Sequence, residues 1–255
     1  TCWSQRDRFE VGDWYIELCR YDDGERVLAE AIVELRSVGS YGVSLSLSCL
    51  ALGRLNQGRY DEAEHDFTEA LGEGRRVEHA QAIAVAMVGL GRSLLALGQP
   101  EAARPHLVEA RERFEELTIA PGVVDATIFL GVADRDLGDP QAAARHFLAA
   151  LTDPGTHWSD DADFWTLQFA ASVISDRATA AVLVGAAAEA YERSDIGQPK
   201  FVADELTAVR ERLEFELDPE ELGRHLRTGG RRTRQEAIDI GREALSLYLL
   251  EQDGA

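Results

Sequence analysis

The sequence predicts an all-α fold, a right-handed superhelix of about five helix pairs closed by a C-terminal helical cap. Three observations support this prediction. Turn glycines recur at even intervals, small and large apolar residues keep a fixed register behind each glycine, and the apolar residues before each glycine follow helical spacing. Since one helix pair cannot bury its own apolar face, successive pairs must stack.

The repeated unit is visible in three copies. Each has a turn glycine, an alanine five residues later, a large apolar residue four further on and another alanine three after that. These positions are Gly58, Ala63, Phe67 and Ala70, then Gly98, Ala103, Leu107 and Ala110, then Gly138, Ala143, Phe147 and Ala150. Gly91 and Gly131 let the paired helices approach closely, and the large residue fills the gap towards the next pair. Weaker copies are predicted with Gly24 and Ala178 in the turn position.

This pattern resembles the tetratricopeptide repeat, which carries a small residue, a turn glycine, alanine, an aromatic residue and alanine in that order. The unit of that family has about 34 residues. Gly58, Gly98 and Gly138 lie further apart than this. The longer period therefore predicts longer helices or extra residues in the loops at 72–79 and 118–121.

The repeat pattern changes near the end of the chain, so we predict repeats over residues 1–196 and a helical cap of the same solenoid over 197–255. Within the cap, Thr228 to Gly230 predict a helix end. Thr233 and Glu236 have the spacing of a capping box for the last helix.

The cap carries a second resemblance, in the stretches 180–197, 206–213 and 217–245. They resemble the C-terminal tetratricopeptide region of bacterial signalling ATPases that regulate transcription, the AfsR, MalT and LuxR-type group. The resemblance implies a non-enzymatic sensor module that binds a protein or peptide and controls an ATPase or output domain outside this chain. That domain of the parent protein is itself a candidate partner. The alternative is a free-standing scaffold or adaptor without a switching role.

The composition excludes several partners. The chain has 46 acidic and 26 basic residues and a formal net charge of −20, which disfavours nucleic acid and an anionic membrane surface. No apolar run reaches the roughly 20 residues of a membrane span. The N-terminus lacks the layout of a secretory leader, and the three cysteines cannot all pair, so we expect a cytoplasmic protein. The absence of an initiator methionine favours a segment of a longer protein.

Residue patterns for catalysis are not found. The single lysine, Lys200, has no glycine-rich loop around it, as a phosphate-binding loop requires. No serine lies in a nucleophile-elbow sequence. We therefore expect no enzymatic activity, no cofactor and no metal site. The stretch from His157 to Asp163 could bind a cation through its carboxylates, but capping of the helix before Phe164 is favoured.

The first helix of each unit lines a concave groove in the tetratricopeptide family. Applying the register to this sequence places apolar residues and two arginines on that surface: Trp14, Leu18, Tyr21, Leu52, Leu55, Val88, Arg92, Ile128, Arg135 and Trp165. Such a groove suits an amphipathic helix or an apolar peptide. The alternative is that these side chains pack on one another.

A basic island interrupts the acidic sequence of the cap. Its arginines are Arg224, Arg227, Arg231, Arg232 and Arg234. They predict a docking patch for an acidic partner or for the acidic surface of the solenoid itself. The alternative is a solvated helix end whose arginines complement the helix dipole.

Overall fold

The computed structural model describes residues 20–37, 40, 42–152, 162–193 and 198–253. Within these ranges the chain forms 12 α-helices and no β-strand. The helices are α1 Tyr21–Ser37, α2 Gly42–Asn56, α3 Tyr60–Arg76, α4 Ala80–Ala96, α5 Pro100–Glu116, α6 Ala120–Asp136, α7 Pro140–Thr152, α8 Ala162–Val173, α9 Arg177–Arg193, α10 Lys200–Glu216, α11 Pro219–Gly230 and α12 Arg234–Asp253.

The chain divides into two units, one of Thr1–Ile119 with Ile196–Phe201 and one of Ala120–Asp195 with Val202–Ala255. In the first unit each helix from α1 to α5 packs against the next, and α2 also contacts α4. In the second unit α6 to α9 pack in the same way, α6 also contacts α8, α9 packs against α11, and α12 packs against α7, α8 and α9. Within each unit the first helices of consecutive pairs thus touch one another. The predicted all-α fold of stacked helix pairs is confirmed.

The long repeat period consists of two long helices and two short turns. Each helix from α3 to α6 has 17 residues. Three residues separate each of them from the next helix. The extra length relative to the tetratricopeptide unit therefore lies in the helices, and the loops at 72–79 and 118–121 contain no insertion.

A residue with positive φ ends each of the helices α2 to α6, at even intervals along the chain: Gly58, Glu78, Gly98, Thr118 and Gly138. The N–H of Gly98 donates to the carbonyl of Leu95 at 2.9 Å, and the next N–H donates to the carbonyl of Leu94 at 2.8 Å. The same two bonds recur at the other four turns. This is the Schellman motif, which satisfies the last helical carbonyls and reverses the chain.

The repeat register forms the core of the helix pairs. Every alanine, phenylalanine and leucine of the three repeat copies behind the turn glycines is buried. A Cβ atom on Gly131 would lie 2.4 Å from the Phe147 ring. The Phe147 ring also stacks at 6.2 Å on Phe169 of the next pair. A Cβ atom on Gly89 would lie 2.0 Å from the Phe67 ring of the preceding pair. Small residues therefore face large ones both within and between pairs.

Three local predictions differ from the structure. Gly24 lies in the first turn of α1 and Ala178 in the first turn of α9, so neither occupies a turn between helices. Near Ala178 the period is lost because α7 and α8 have only 13 and 12 residues. Near Gly24 the period is almost kept, because α1 has 17 residues like α3, but Gly24 lies closer to Gly58 than one period. Thr228 to Gly230 form the last turn of α11, where Gly229 allows close contact: its Cβ atom would lie 1.9 Å from the carbonyl oxygen of Val182.

The capping box before α12 is confirmed. The N–H of Thr233 donates to Oε2 of Glu236 at 2.8 Å, and the N–H of Glu236 donates to Oγ1 of Thr233 at 3.3 Å. These reciprocal bonds start α12 directly after the end of α11.

We predict that Gly131→Ala destabilises the second unit by about 2 kcal/mol, because the added methyl group overlaps the Phe147 ring in a filled core. The matched control is Gly72→Ala on α3, where no atom lies within 4 Å of the new Cβ. That change should raise stability by up to about 1 kcal/mol through helix propensity. Urea unfolding followed by circular dichroism measures both, and equal effects would contradict the packing argument.

The turns give a second prediction. Thr118 carries a β-branched side chain at a φ of 54°. Thr118→Gly should therefore stabilise the protein by ~0.5 kcal/mol, because relief of the left-handed conformation exceeds the added entropy of the unfolded chain. Gly98→Ala, at a φ of 71°, should destabilise it by ~1 kcal/mol. Urea unfolding midpoints that move in the same direction for both variants would show that φ does not decide the effect.

Candidate functional site

The residues predicted to line the groove differ in exposure. Trp14 and Leu18 lie outside the described residues. In the first unit Leu55, Val88 and Arg92 are 2 %, 5 % and 8 % exposed, whereas Tyr21 and Leu52 are half-buried. In the second unit Ile128 is fully buried, and Arg135 and Trp165 are half-buried. The buried residues of this set pack between helices. The accessible part of the first-helix face is therefore formed by the half-buried residues.

Arg135 is bound by a helix of the cap. Its two Nη atoms donate to the carboxylate of Glu205 on α10 at 2.7 and 2.9 Å. Burial lowers the pKa of the Arg135 guanidinium, but the hydrogen bonds and charges of Glu205 and Asp136 outweigh it and raise the pKa above its usual range. The paired guanidinium stays charged, and α10 occupies the place where a partner of Arg135 was expected.

Further polar contacts hold α10 against α8. The side-chain amide of Gln168 donates to the carbonyl of Val202 at 2.7 Å. Arg212 donates to the carbonyls of Ala171 and Ser172 at 2.8 and 2.7 Å, which satisfies acceptors at the C-terminal end of α8. Burial lowers the pKa of the Arg212 guanidinium, and the charge of Arg177 lowers it further.

Charged pairs also join the helices of one pair at equivalent heights. Arg54 of α2 contacts Asp66 of α3 at 2.6 Å, and also Glu25 of α1 at 2.6 Å. In the second unit Oδ2 of Asp134 lies 3.2 Å from Nε2 of His146. Both residues of that pair stand two full repeats after Arg54 and Asp66. The carboxylate of the pair thus lies on the second helix in the first unit and on the first helix in the second unit.

The basic island divides in the structure. Arg234 binds Asp163, which is fully buried at the start of α8, through Nε at 2.7 Å and Nη2 at 2.5 Å. Arg224, Arg227, Arg231 and Arg232 are exposed. The Arg234 contact therefore fixes α12 to α8 and gives Asp163 an arginine partner.

The other residues of the predicted cation stretch, 157–161, lie outside the described part of the chain. Among the residues that are described, no group of three or more histidine, cysteine or carboxylate side chains could hold a metal ion.

A cleft of about 480 Å³ lies between α9, α10 and α11. Two arginines of the basic island, Arg227 and Arg231, reach its rim together with Arg193 of α9 and Arg210 of α10. Sequence reasoning missed the last two because they are isolated in the sequence and only helix packing brings them to the island. Each of these two arginines pairs with an acidic residue one turn away on its own helix, Arg193 with Glu189 and Arg210 with Glu214.

Family comparison agrees with the observed geometry of the repeats. A tetratricopeptide-repeat model matches residues 42–116, and a second tetratricopeptide-repeat model matches residues 88–162. Residues 42–162 form a tetratricopeptide repeat domain. The protein therefore carries a fold of the protein-interaction type. None of the curated proteins matches the sequence significantly.

Solved structures share the tetratricopeptide fold. A Rap protein complexed with Competence and Sporulation Factor matches at a TM-score of 0.67 and 16% identity, over 93% of this chain and 65% of that chain. The apo form of RapI matches at 0.65 and 15% identity, with the same coverage of 93% and 65%. A Podosopora anserina putative kinesin light chain with nearly identical TPR-like repeats matches at 0.51 and 14% identity, over 82% of this chain and 96% of that chain.

This chain thus spans less than two thirds of either Rap structure. At these identities the likeness shows the tetratricopeptide fold alone. Within the described residues, no helix combines the length and the apolar character that a membrane crossing requires.

We predict that Glu205→Ala weakens the docking of α10 by about 2 kcal/mol, because the half-buried Arg135 loses both of its hydrogen bonds to Glu205. The matched control is Glu211→Ala, an exposed carboxylate on the same helix that makes no ion pair with the described residues. Hydrogen exchange of the α10 amides should accelerate in the first variant and stay unchanged in the second. Equal exchange in both would show that the ion pair does not hold α10.

Proposed function

We propose that this chain is a non-enzymatic, cytoplasmic sensor module of a bacterial transcriptional regulator. It binds a protein or a peptide and controls an ATPase or output domain outside the chain. The observation on which the proposal depends is the tetratricopeptide repeat domain over residues 42–162. The regulator context draws on the resemblance of the cap to signalling ATPases and on the similar fold of a Rap protein in complex with a factor.

The binding surfaces we propose are the first-helix faces of the two units, at the half-buried Leu52 in the first and at Arg135 and Trp165 in the second. An apolar side chain of the partner would pack against Leu52 or Trp165, and a carboxylate of the partner would pair with Arg135. Glu205 of α10 already pairs with Arg135 in this way. Control of a linked domain requires two states of the module. We propose that the two states are α10 docked on α6 and α8, and α10 displaced by the partner.

Partner binding can be tested on the first-helix face directly. The chain and a Leu52→Arg variant are used to capture partners from a bacterial extract, with Val33→Arg as the control. Val33 is 69 % exposed on α1 and is not on the predicted face. We expect the same partners for the wild type and the control, and a loss of about tenfold or more in binding for Leu52→Arg. Retention of all partners by Leu52→Arg would contradict a site on this face.

Hydrogen exchange separates the regulator from the scaffold. A captured partner that is then purified should accelerate exchange in α10 if it displaces that helix, and should change the activity of a P-loop ATPase in the parent protein. A free-standing scaffold would bind two proteins at once and leave α10 exchange unaltered. That second outcome would replace the sensor proposal with the adaptor function.

A further inference from the structure

The cleft between α9, α10 and α11 combines an apolar floor with a cationic rim. Val184 and Ala188 of α9, Leu206 of α10 and Leu226 of α11 form its apolar lining. A second hollow of about 320 Å³ continues from it between α10 and α11 and shares Leu226. Leu206 and Leu226 are half-buried, so they are the lining residues that an aliphatic side chain of a ligand would contact.

Two of the four rim arginines have no carboxylate partner among the described residues. Arg193 pairs with Glu189 at 2.9 Å, and Arg210 pairs with Glu214 at 3.1 Å. Neither Arg227 nor Arg231 forms an ion pair with any residue that the structure describes, and both are exposed. In a chain with a net charge of −20, unpaired arginines beside an apolar cleft form a local site for an anion.

The floor of the cleft is held in place by direct contact between two helix backbones. A Cβ atom on Gly185 of α9 would lie 2.1 Å from the carbonyl oxygen of Leu226, and one on Gly229 of α11 would lie 1.9 Å from the carbonyl oxygen of Val182. Only glycine at both positions allows this approach. The α9 and α11 walls of the cleft are therefore fixed before any ligand binds, which lowers the entropic cost of binding.

We propose that this cleft binds an acidic peptide segment in which a carboxylate and an aliphatic side chain are neighbours. The carboxylate would pair with the guanidinium groups of Arg227 and Arg231, and the aliphatic side chain would pack between Leu206 and Leu226. This inference rests on the proposed protein-binding function and adds a second site to it, with its own ligand chemistry.

Charge distribution favours a peptide over a polyanion. Glu189 and Glu192 line the same cleft and repel a dense row of phosphates. The C-terminal ends of α9 and α11 also lie there and contribute partial negative charge. The helix dipole alone could explain why arginines stand near the C-terminal end of α11, as Arg227 and Arg231 do. It does not explain Arg210, which lies in the middle of α10, or the apolar lining of the cleft.

Occupation of the cleft would link α10 to the rest of the second unit. Leu206 and Arg210 come from α10, whereas the other walls belong to α9 and α11. A ligand that contacts all three helices stabilises the docked position of α10 by linkage. The cleft ligand would therefore oppose a partner that displaces α10 from α6 and α8.

The test uses charge reversal with a matched control. Arg227→Glu/Arg231→Glu changes the two unpaired cleft arginines, and Arg224→Glu/Arg232→Glu changes two exposed arginines of the same island that do not line the cleft. Both double variants alter the net charge equally. The probe is a short fluorescein-labelled peptide of alternating leucine and glutamate with an amidated C-terminus, measured by fluorescence anisotropy. The comparison peptides carry glutamine for glutamate, or alanine for leucine.

We expect the leucine–glutamate peptide to bind the wild type and the control alike, and the cleft variant at least about tenfold more weakly. Both comparison peptides should also lose about tenfold or more. Binding should slow hydrogen exchange in α10. An equal loss of affinity in both double variants would show that only the net charge matters and would overturn the proposal. Tighter binding of a single-stranded oligonucleotide than of the peptide would also overturn it. If the peptide still binds the cleft variant but not Leu52→Arg, the cleft site is wrong and the first-helix face remains.

Discussion

The turn of positive φ that closes each helix from α2 to α6 is the constraint from which the rest of the repeat follows. It ends each helix with satisfied carbonyls and reverses the chain, so helices of 17 residues, about 25 Å long, lie antiparallel. Because the helices are equal in length, equivalent side chains meet at equal heights. That is why Gly131 faces Phe147 and Gly91 faces Leu107 in the same relative position.

Sequence reasoning found the repeats because three of the five turns carry glycine, and it placed the other two turns only within the loops at 72–79 and 118–121. Glu78 and Thr118 adopt the same turn without glycine, so no residue type marked them. The terminal copies are predicted from Gly24, which lies closer to Gly58 than one period, and from Ala178, which fits the period; both lie inside helices. Spacing alone cannot distinguish a turn from a helix start once the helix lengths change.

The candidate site was partly visible in the sequence. Arg227 and Arg231 stand in a run of basic residues, whereas Arg193 and Arg210 reach the cleft only through the packing of α9, α10 and α11. The partner of Arg135 is Glu205, far along the chain, and no local pattern connects them. The apolar contacts of the repeats recur along the sequence and can be predicted, whereas the polar contacts that position α10 occur once. Val202, Val209 and Leu213 of α10 are buried as well, so apolar packing and these polar contacts together hold the helix.

The carboxylates Asp66 and Asp134 lie on opposite helices of equivalent pairs, and this has a consequence for assembly. A chain of similar helix pairs can associate out of step, with α2 beside α7 or α6 beside α3, since their apolar faces are alike. Such an exchange would place Arg54 against His146 instead of Asp66, and Asp134 against Asp66, with two carboxylates in a buried place. Each helix therefore distinguishes its own partner from its relative two repeats away. The pairs Arg54–Asp66 and Asp134–His146 thus oppose an exchange between these two helix pairs.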